Sequence, residues 1–157
     1  MKIEFWCVGK TTFGYLEEGI MLYDKRLRHY ATFERIVIPD IKNPKNLSVE
    51  QIKEQEGSVI LQRLQNDDFL VLLDERGKQF SSEDFADLLG KWQVQSLRRV
   101  VFVVGGAYGF SEAVYNRQNM QISLSRMTFS HQMVRLFFVE QLYRGFTILR
   151  GEPYHHS

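Results

Sequence analysis

Two uninterrupted apolar runs, Phe69-Leu70-Val71-Leu72-Leu73 and Val100-Val101-Phe102-Val103-Val104, constrain this chain more than any other feature. Each has the length of a strand and shows no polar alternation, so both faces must be covered, as in a parallel sheet lying between helices. A third run, Ile3-Glu4-Phe5-Trp6-Cys7-Val8, ends at Gly9, and a fourth, Phe33 to Ile38, is stopped by Pro39. Met120 to Leu124 reads as a fifth, shorter strand.

Between the strands lie helical signals. Leu16, Ile20, Tyr23, Leu27 and Tyr30 recur at intervals of three and four, predicting a helix over roughly 13–30. The polar segment 40–47 is a loop. Ser48 then caps a helix running to about Leu64, with Gln51 at the capping-box position. Ser81 or Ser82 caps another over about 83–93, Ser111 opens a short one, and Phe129 to about Thr147 forms the last. Alternation of strands and helices predicts an α/β fold with a parallel sheet and helices on both faces. No repeat or linker divides residues 1–157, so a single domain is expected.

Bulk composition excludes several classes. Hydrophobic residues make up 44% and charged residues 25%, with a net charge of +1. That balance is ordinary for a globular protein and too weakly basic for an extended grip on bare RNA. The apolar runs are too short to span a bilayer. One cysteine, Cys7, excludes an internal disulfide or a multi-cysteine zinc site, and its apolar strand predicts a buried, inert thiol; no metal is expected. Met1-Lys2-Ile3-Glu4 carries no cleavable signal pattern, which sets the expectation of a cytoplasmic protein.

Three strand ends lead into unusual loops: Leu73-Asp74-Glu75-Arg76-Gly77-Lys78, Gly105-Gly106-Ala107-Tyr108-Gly109, and Ser125-Arg126-Met127-Thr128. Ligands of open α/β sheets settle outside the carboxyl ends of strands, so these loops predict a crevice. The glycines permit close approach of backbone to a ligand, although turns need glycine for other reasons too. Neither a P-loop ending nor the dinucleotide fingerprint is present, which argues against ATP and NAD. Arg76 and Lys78 have the charge to hold phosphate, but a solvated turn is the commoner explanation of such residues. The last helix is apolar nearly all round, predicting burial on two sides, one of them a subunit interface. Arg144 follows Glu140 by four residues, the spacing of a helix-surface pair. His131 reads as a hydrogen-bonded structural histidine and His29 as helix surface. Glu152-Pro153-Tyr154 is stiff and aromatic, which predicts that the tail with His155 and His156 docks.

Taken in order, Val8-Gly9-Lys10, Tyr23-x-Lys25-Arg26-Leu27, Leu73-Asp74-x-x-Gly77-Lys78, Gly105-Gly106-x-x-Gly109, Leu124-Ser125-x-Met127-Thr128-Phe129-x-His131-x-x-x-Arg135, Glu140-Gln141-Leu142-Tyr143-Arg144 and the terminal Tyr154-His155 resemble the ribosomal RNA large subunit methyltransferase H family of the SPOUT class. The resemblance spans essentially the whole chain. It implies a SPOUT-type α/β domain with a C-terminal trefoil knot and a homodimer. The activity it implies is transfer of a methyl group from S-adenosylmethionine to ring nitrogen 3 of a pseudouridine in large-subunit rRNA, on assembled ribosomes. Carried over, the cofactor residues are Leu73, Gly105, Leu124, Ser125, Arg126, Met127, Thr128 and Phe129, and the catalytic candidates are Arg144, Tyr154 and His155. Ser130 stands where the family commonly has proline, and Ala107-Tyr108 fill variable positions. A methyltransferase of another RNA, a non-catalytic ribosome-associated factor and a generic nucleotide-binding module are the competing readings.

Overall fold

The computed structural model describes Met1 to His156. Its order is β1 (Lys2–Val8), α1 (Gly14–Leu27), β2 (Thr32–Ile38), a single 3-10 turn (Pro44–Asn46), α2 (Val49–Arg63), β3 (Phe69–Gln79), α3 (Ser82–Val94), β4 (Arg99–Val104), α4 (Glu112–Arg117), β5 (Met120–Ser123) and α5 (Met133–Leu149). The five strands form one sheet in the order β2-β1-β4-β3-β5, and every neighbouring pair is parallel.

Alternate residues of the strands feed two cores. Ile3, Phe5, Cys7, Val71, Val100 and Phe102 face Leu16 and Ile20 of α1, Phe85 and Leu89 of α3, and Phe138 and Leu142 of α5. Trp6, Leu70, Leu72, Val101 and Val103 face the other way, against Ile60 of α2 and Val114 of α4. Helices therefore cover both faces, as the unalternating strands require. Cys7 is fully buried, and burial pushes its thiol up to about 12, so it is inert at neutral pH. No helix of the described residues is long and apolar enough to cross a membrane.

Helix starts follow the capping residues. Ser48 and Gln51 form the complete capping box, Ser81 (not Ser82) caps α3, and the Ser111 hydroxyl accepts from the Val114 N–H. The first helix ends at Leu27, short of the expected residue 30, and two further boundaries differ from expectation. The final helix begins at Met133 rather than Phe129, because the Ser130 hydroxyl and carbonyl accept the Met133 and Val134 N–H groups and close a separate turn first. The segment after Leu73 is not a simple loop. β3 continues to Gln79, but Leu73 and Lys78 both register with Ile122, so residues 74–77 bulge out before the strand resumes. A Cβ on Gly77 would lie 2.6 Å from the backbone nitrogen of Ile122, which is why glycine stands at the point of return.

Within one protomer the last helix is buried on one side. Phe138, Val139, Leu142 and Phe146 are inside, while Phe137 is 41% exposed. Phe13, Tyr15, Met21 and Leu22, at or within α1, are likewise exposed.

Candidate functional site

A cavity of about 280 Å³ opens at the carboxyl ends of β3, β4 and β5. Leu73 and the bulge Asp74 to Arg76 form one wall, Gly105 to Phe110 a second, and Leu124 to Phe129 a third. Val104 and Ile122 line it between the walls, and His131 and Val134 at the entry to α5 complete it. Leu73, Gly105, Leu124, Ser125, Met127, Thr128 and Phe129 thus come together as the sequence predicts. The wall passes from Ser125 to Met127, and Arg126 is exposed to solvent.

Short polar contacts fix the walls. Ser123 Oγ donates to the Ser125 carbonyl at 2.8 Å, and Ser125 Oγ accepts the Met127 N–H at 2.9 Å. Thr128 Oγ1 donates to Glu75 Oε2 at 2.8 Å, bridging the third wall to the first. The Tyr115 hydroxyl donates to Asp74, whose other oxygen accepts the Arg76 N–H at 2.9 Å. Burial and the Asp74 carboxylate push the Tyr115 phenol up to about 12, so it stays a donor at neutral pH. Gly106 and Gly109 close the second wall in a tight turn, with Gly109 at φ +85°.

Behind that turn stands Glu56 of α2. Its Oε2 is 2.8 Å from where a Gly106 Cβ would sit, so a larger residue there would push the carboxylate aside. Burial, with the Asp40 carboxylate adding to it, pushes Glu56 up to about 7. His131 is shifted the other way, down from its ordinary value, by burial and by Arg135.

Arg135, buried behind the cavity, is a supporting residue whose role sequence reasoning missed. It is 0% exposed, and its guanidinium donates to the Val8 and Gly9 carbonyls at 2.8 Å each, to Thr11 Oγ1 at 3.2 Å and to the His131 carbonyl at 3.1 Å. Gln132 adds two contacts, accepting the Thr12 N–H at 2.7 Å and donating to the Lys10 carbonyl at 3.1 Å. Together they pin the loop after β1 to the start of α5. The available signal was a charge inside an otherwise apolar helix, which must find acceptors when buried.

The tail forms a second cluster. Tyr154 OH lies 3.1 Å from Tyr23 OH and donates to Glu140 Oε1 at 3.0 Å. Arg144 pairs with Glu140, stacks over the Tyr154 ring at 4.8 Å and meets His155 Nδ1 at 3.2 Å. His155 Nε2 reaches Glu83 Oε1 at 2.9 Å, and Tyr30 OH donates to Glu152 Oε2 at 2.5 Å. The tail therefore docks, and the helix-surface pairing of Arg144 with Glu140 holds alongside its other contacts. Burial and the hydroxyl contacts with Tyr23 and Glu140 raise the Tyr154 phenol above its ordinary value. This cluster stands apart from the cavity. Arg144 lies ten residues beyond Val134 along α5, about 15 Å at the helical rise. Among the described residues, no group of three or more His, Cys, Asp or Glu is placed to hold a metal ion.

Residues 1–155 match the family described as "Predicted SPOUT methyltransferase". The ribosomal RNA large subunit methyltransferase H of Parabacteroides distasonis is 59% identical over 157 residues, which cover 100% of both chains. That of Christiangramia forsetii is 58% identical over 156 residues, 99% of each chain. That of Cytophaga hutchinsonii is 51% identical over 156 residues, covering 99% of this chain and 100% of its own.

Proposed function

The chain belongs to the SPOUT methyltransferase family, and from that premise we propose that it methylates ring nitrogen 3 of a pseudouridine in large-subunit rRNA, with S-adenosylmethionine as donor. The three relatives act on large-subunit rRNA by their names, and they cover the chain end to end. The observation that carries the reading is the cavity itself. Its walls are backbone-rich and bear Asp74 and Glu75, acceptors suited to ribose hydroxyls and to a cationic ligand. At about 280 Å³ it approaches the lower range of small-molecule pockets, roughly 300 Å³. When bound, S-adenosylmethionine supplies an electrophilic methyl group.

The remaining chemistry falls to the protein. The imide nitrogen must lose its proton, and negative charge then builds on the flanking oxygens of the base. Arg144 is the cation assigned to that charge. Tyr154, a phenol that keeps its proton, positions the base, and His155 positions it or receives its proton, with Tyr23, Glu140 and Glu83 holding them in place. Since Arg144, which holds this cluster together, stands about 15 Å along α5 from Val134 in the cavity of its own protomer, the site is assigned to a homodimer in which one subunit's tail faces its partner's cavity. Exposed apolar side chains of α1 and α5, among them Tyr15, Leu22 and Phe137, are assigned to that interface. The C-terminal chain is read as a trefoil knot on the strength of family membership.

Methyl transfer from radiolabelled S-adenosylmethionine to ribosomes lacking this modification, set beside free rRNA and followed by nucleoside mapping, tests the reading. Label in N3-methylpseudouridine on ribosomes is expected. Label in another nucleoside, in transfer RNA or in no RNA at all contradicts it.

A further inference from the structure

A basic, aromatic surface lies at the C-terminal ends of α1 and α5, continuous with the tail cluster. Four tyrosines form its base. Tyr143 sits 5.7 Å from both Tyr23 and Tyr30 and 4.7 Å from Tyr154 by ring centroids. Two guanidiniums lie on this base besides Arg144. Arg26 is 5.4 Å from both the Tyr23 and the Tyr143 rings, and Arg150 is 4.4 Å from Tyr30.

Several other arginines of the molecule are already committed to partners. Arg35, Arg98 and Arg99 are each paired with carboxylates, and Arg135 is spent on carbonyls. Lys25, Arg26, Arg28 and Arg150 have no carboxylate partner within ion-pair distance among the described residues, and Lys25, Arg28 and Arg150 are exposed. The acids nearby are engaged: Asp24 with Arg35, Glu140 with Arg144, Glu152 with the Tyr30 hydroxyl. Positive charge left unpaired beside a rigid aromatic base is what phosphate oxygens and exposed nucleobases bind. Stacking also holds Arg26 and Arg150 in place before any partner arrives, which lowers the entropic cost of binding. The overall charge of +1 hides this concentration, since acids elsewhere cancel it.

We propose that Arg26 and Arg150, carried on Tyr23, Tyr30 and Tyr143, together with the exposed Lys25 and Arg28, form the docking surface for the RNA backbone that flanks the target nucleotide. The inference rests on the rRNA methyltransferase reading and adds to it where the substrate is gripped. The surface adjoins Arg144 and Tyr154, so a strand held there would deliver its neighbouring base to the tail cluster.

The test compares wild type with the triple variant Arg26→Gln, Arg28→Gln, Arg150→Gln and with its Lys counterpart. The readouts are KM for unmodified ribosomes, kcat, cofactor affinity, oligomeric state and the dependence of ribosome binding on salt. In the Gln variant KM should rise at least about tenfold, with kcat and S-adenosylmethionine affinity near wild type. Its log–log salt slope should become shallower by about one for each phosphate that is no longer neutralised. The Lys variant keeps the charge, so its salt slope should remain near wild type. An unchanged KM and salt slope in the Gln variant overturns the proposal. So does dissociation into monomers, which would make the patch a subunit contact. Equal loss of affinity in the Gln and Lys variants with an unaltered salt slope overturns it as well. Failure of the wild type to methylate any ribosomal state would instead strike the underlying functional reading, and ribosome binding by the same variants would still report on the surface.

Discussion

At the ends of β3, β4 and β5 the cavity is walled mainly by backbone, glycines and short hydroxyl contacts. About 15 Å along α5 the tail cluster is built almost wholly from long side chains stacked and hydrogen-bonded to one another. The first arrangement suits a ligand recognised by shape and main-chain groups. The second suits one recognised by charge and ring faces. Each half lacks what the other has, which is what a transferase must combine when donor and acceptor differ so much in size and charge.

If that division of labour is right, damage to the two halves should separate kinetically. Arg144→Ala should lower kcat by about 100- to 1,000-fold, the range for removal of a charge-stabilising donor. Its dissociation constant for S-adenosylmethionine, measured by calorimetry, should stay within about threefold of wild type; a parallel loss of cofactor affinity would dissolve the distinction. Gly105→Val tests the opposite half. A Cβ there already falls 3.1 Å from Phe110 in the cavity wall, and the larger side chain has to displace it. Cofactor affinity should drop about 100-fold, roughly 2.7 kcal/mol, with the tail still docked and the dimer intact.

Smaller effects probe the support between the halves. Arg135→Met strands the Val8 and Gly9 carbonyls in a buried site and should destabilise the fold by about 3 kcal/mol in urea unfolding. A loss below about 1 kcal/mol would mean that the loop after β1 is held by other contacts. Glu56 gives the smallest shift. Its folded-state value, about 7, exceeds the ordinary 4.5, so the folded state holds that proton more tightly than the unfolded chain. Its contribution is therefore most favourable below pH 4.5 and is lost as pH rises toward and through 7. After discounting for the water that still reaches it, Glu56→Gln should gain about 1 kcal/mol at pH 8 relative to pH 5, compared with wild type. Equal effects of the substitution at both pH values would contradict the assignment.

The two regions also differed in how far the sequence disclosed them. Unalternating runs such as Phe69 to Leu73 made a doubly covered parallel sheet legible, and Ser48 with Gln51 marked a helix start to the residue. All three cavity walls were visible because strand ends and glycines are local signals. The bulge at residues 74–77 was hidden, since a strand that leaves its neighbour and returns depends on how β5 lies beside it. Arg135 stands within a family motif, but its carbonyl partners Val8 and Gly9 lie more than 120 residues away in sequence, so no local pattern names them. Tail docking was legible from Pro153 and Tyr154. Its distance from the cavity was not, because that distance is set by the direction of α5 and not by any local pattern.

The central claim, that a working site joins one subunit's cavity to its partner's tail, is tested most directly by mixing two inactive homodimers. Gly105→Val and Arg144→Ala chains, unfolded together in equal amounts and refolded, should assort into heterodimers that each carry one undamaged cavity facing one undamaged tail. Ribosome methylation should return to roughly one quarter of the wild-type level. If each site lay within a single subunit, every site in the mixture would carry a defect, and activity no higher than that of the separate variants would contradict the account.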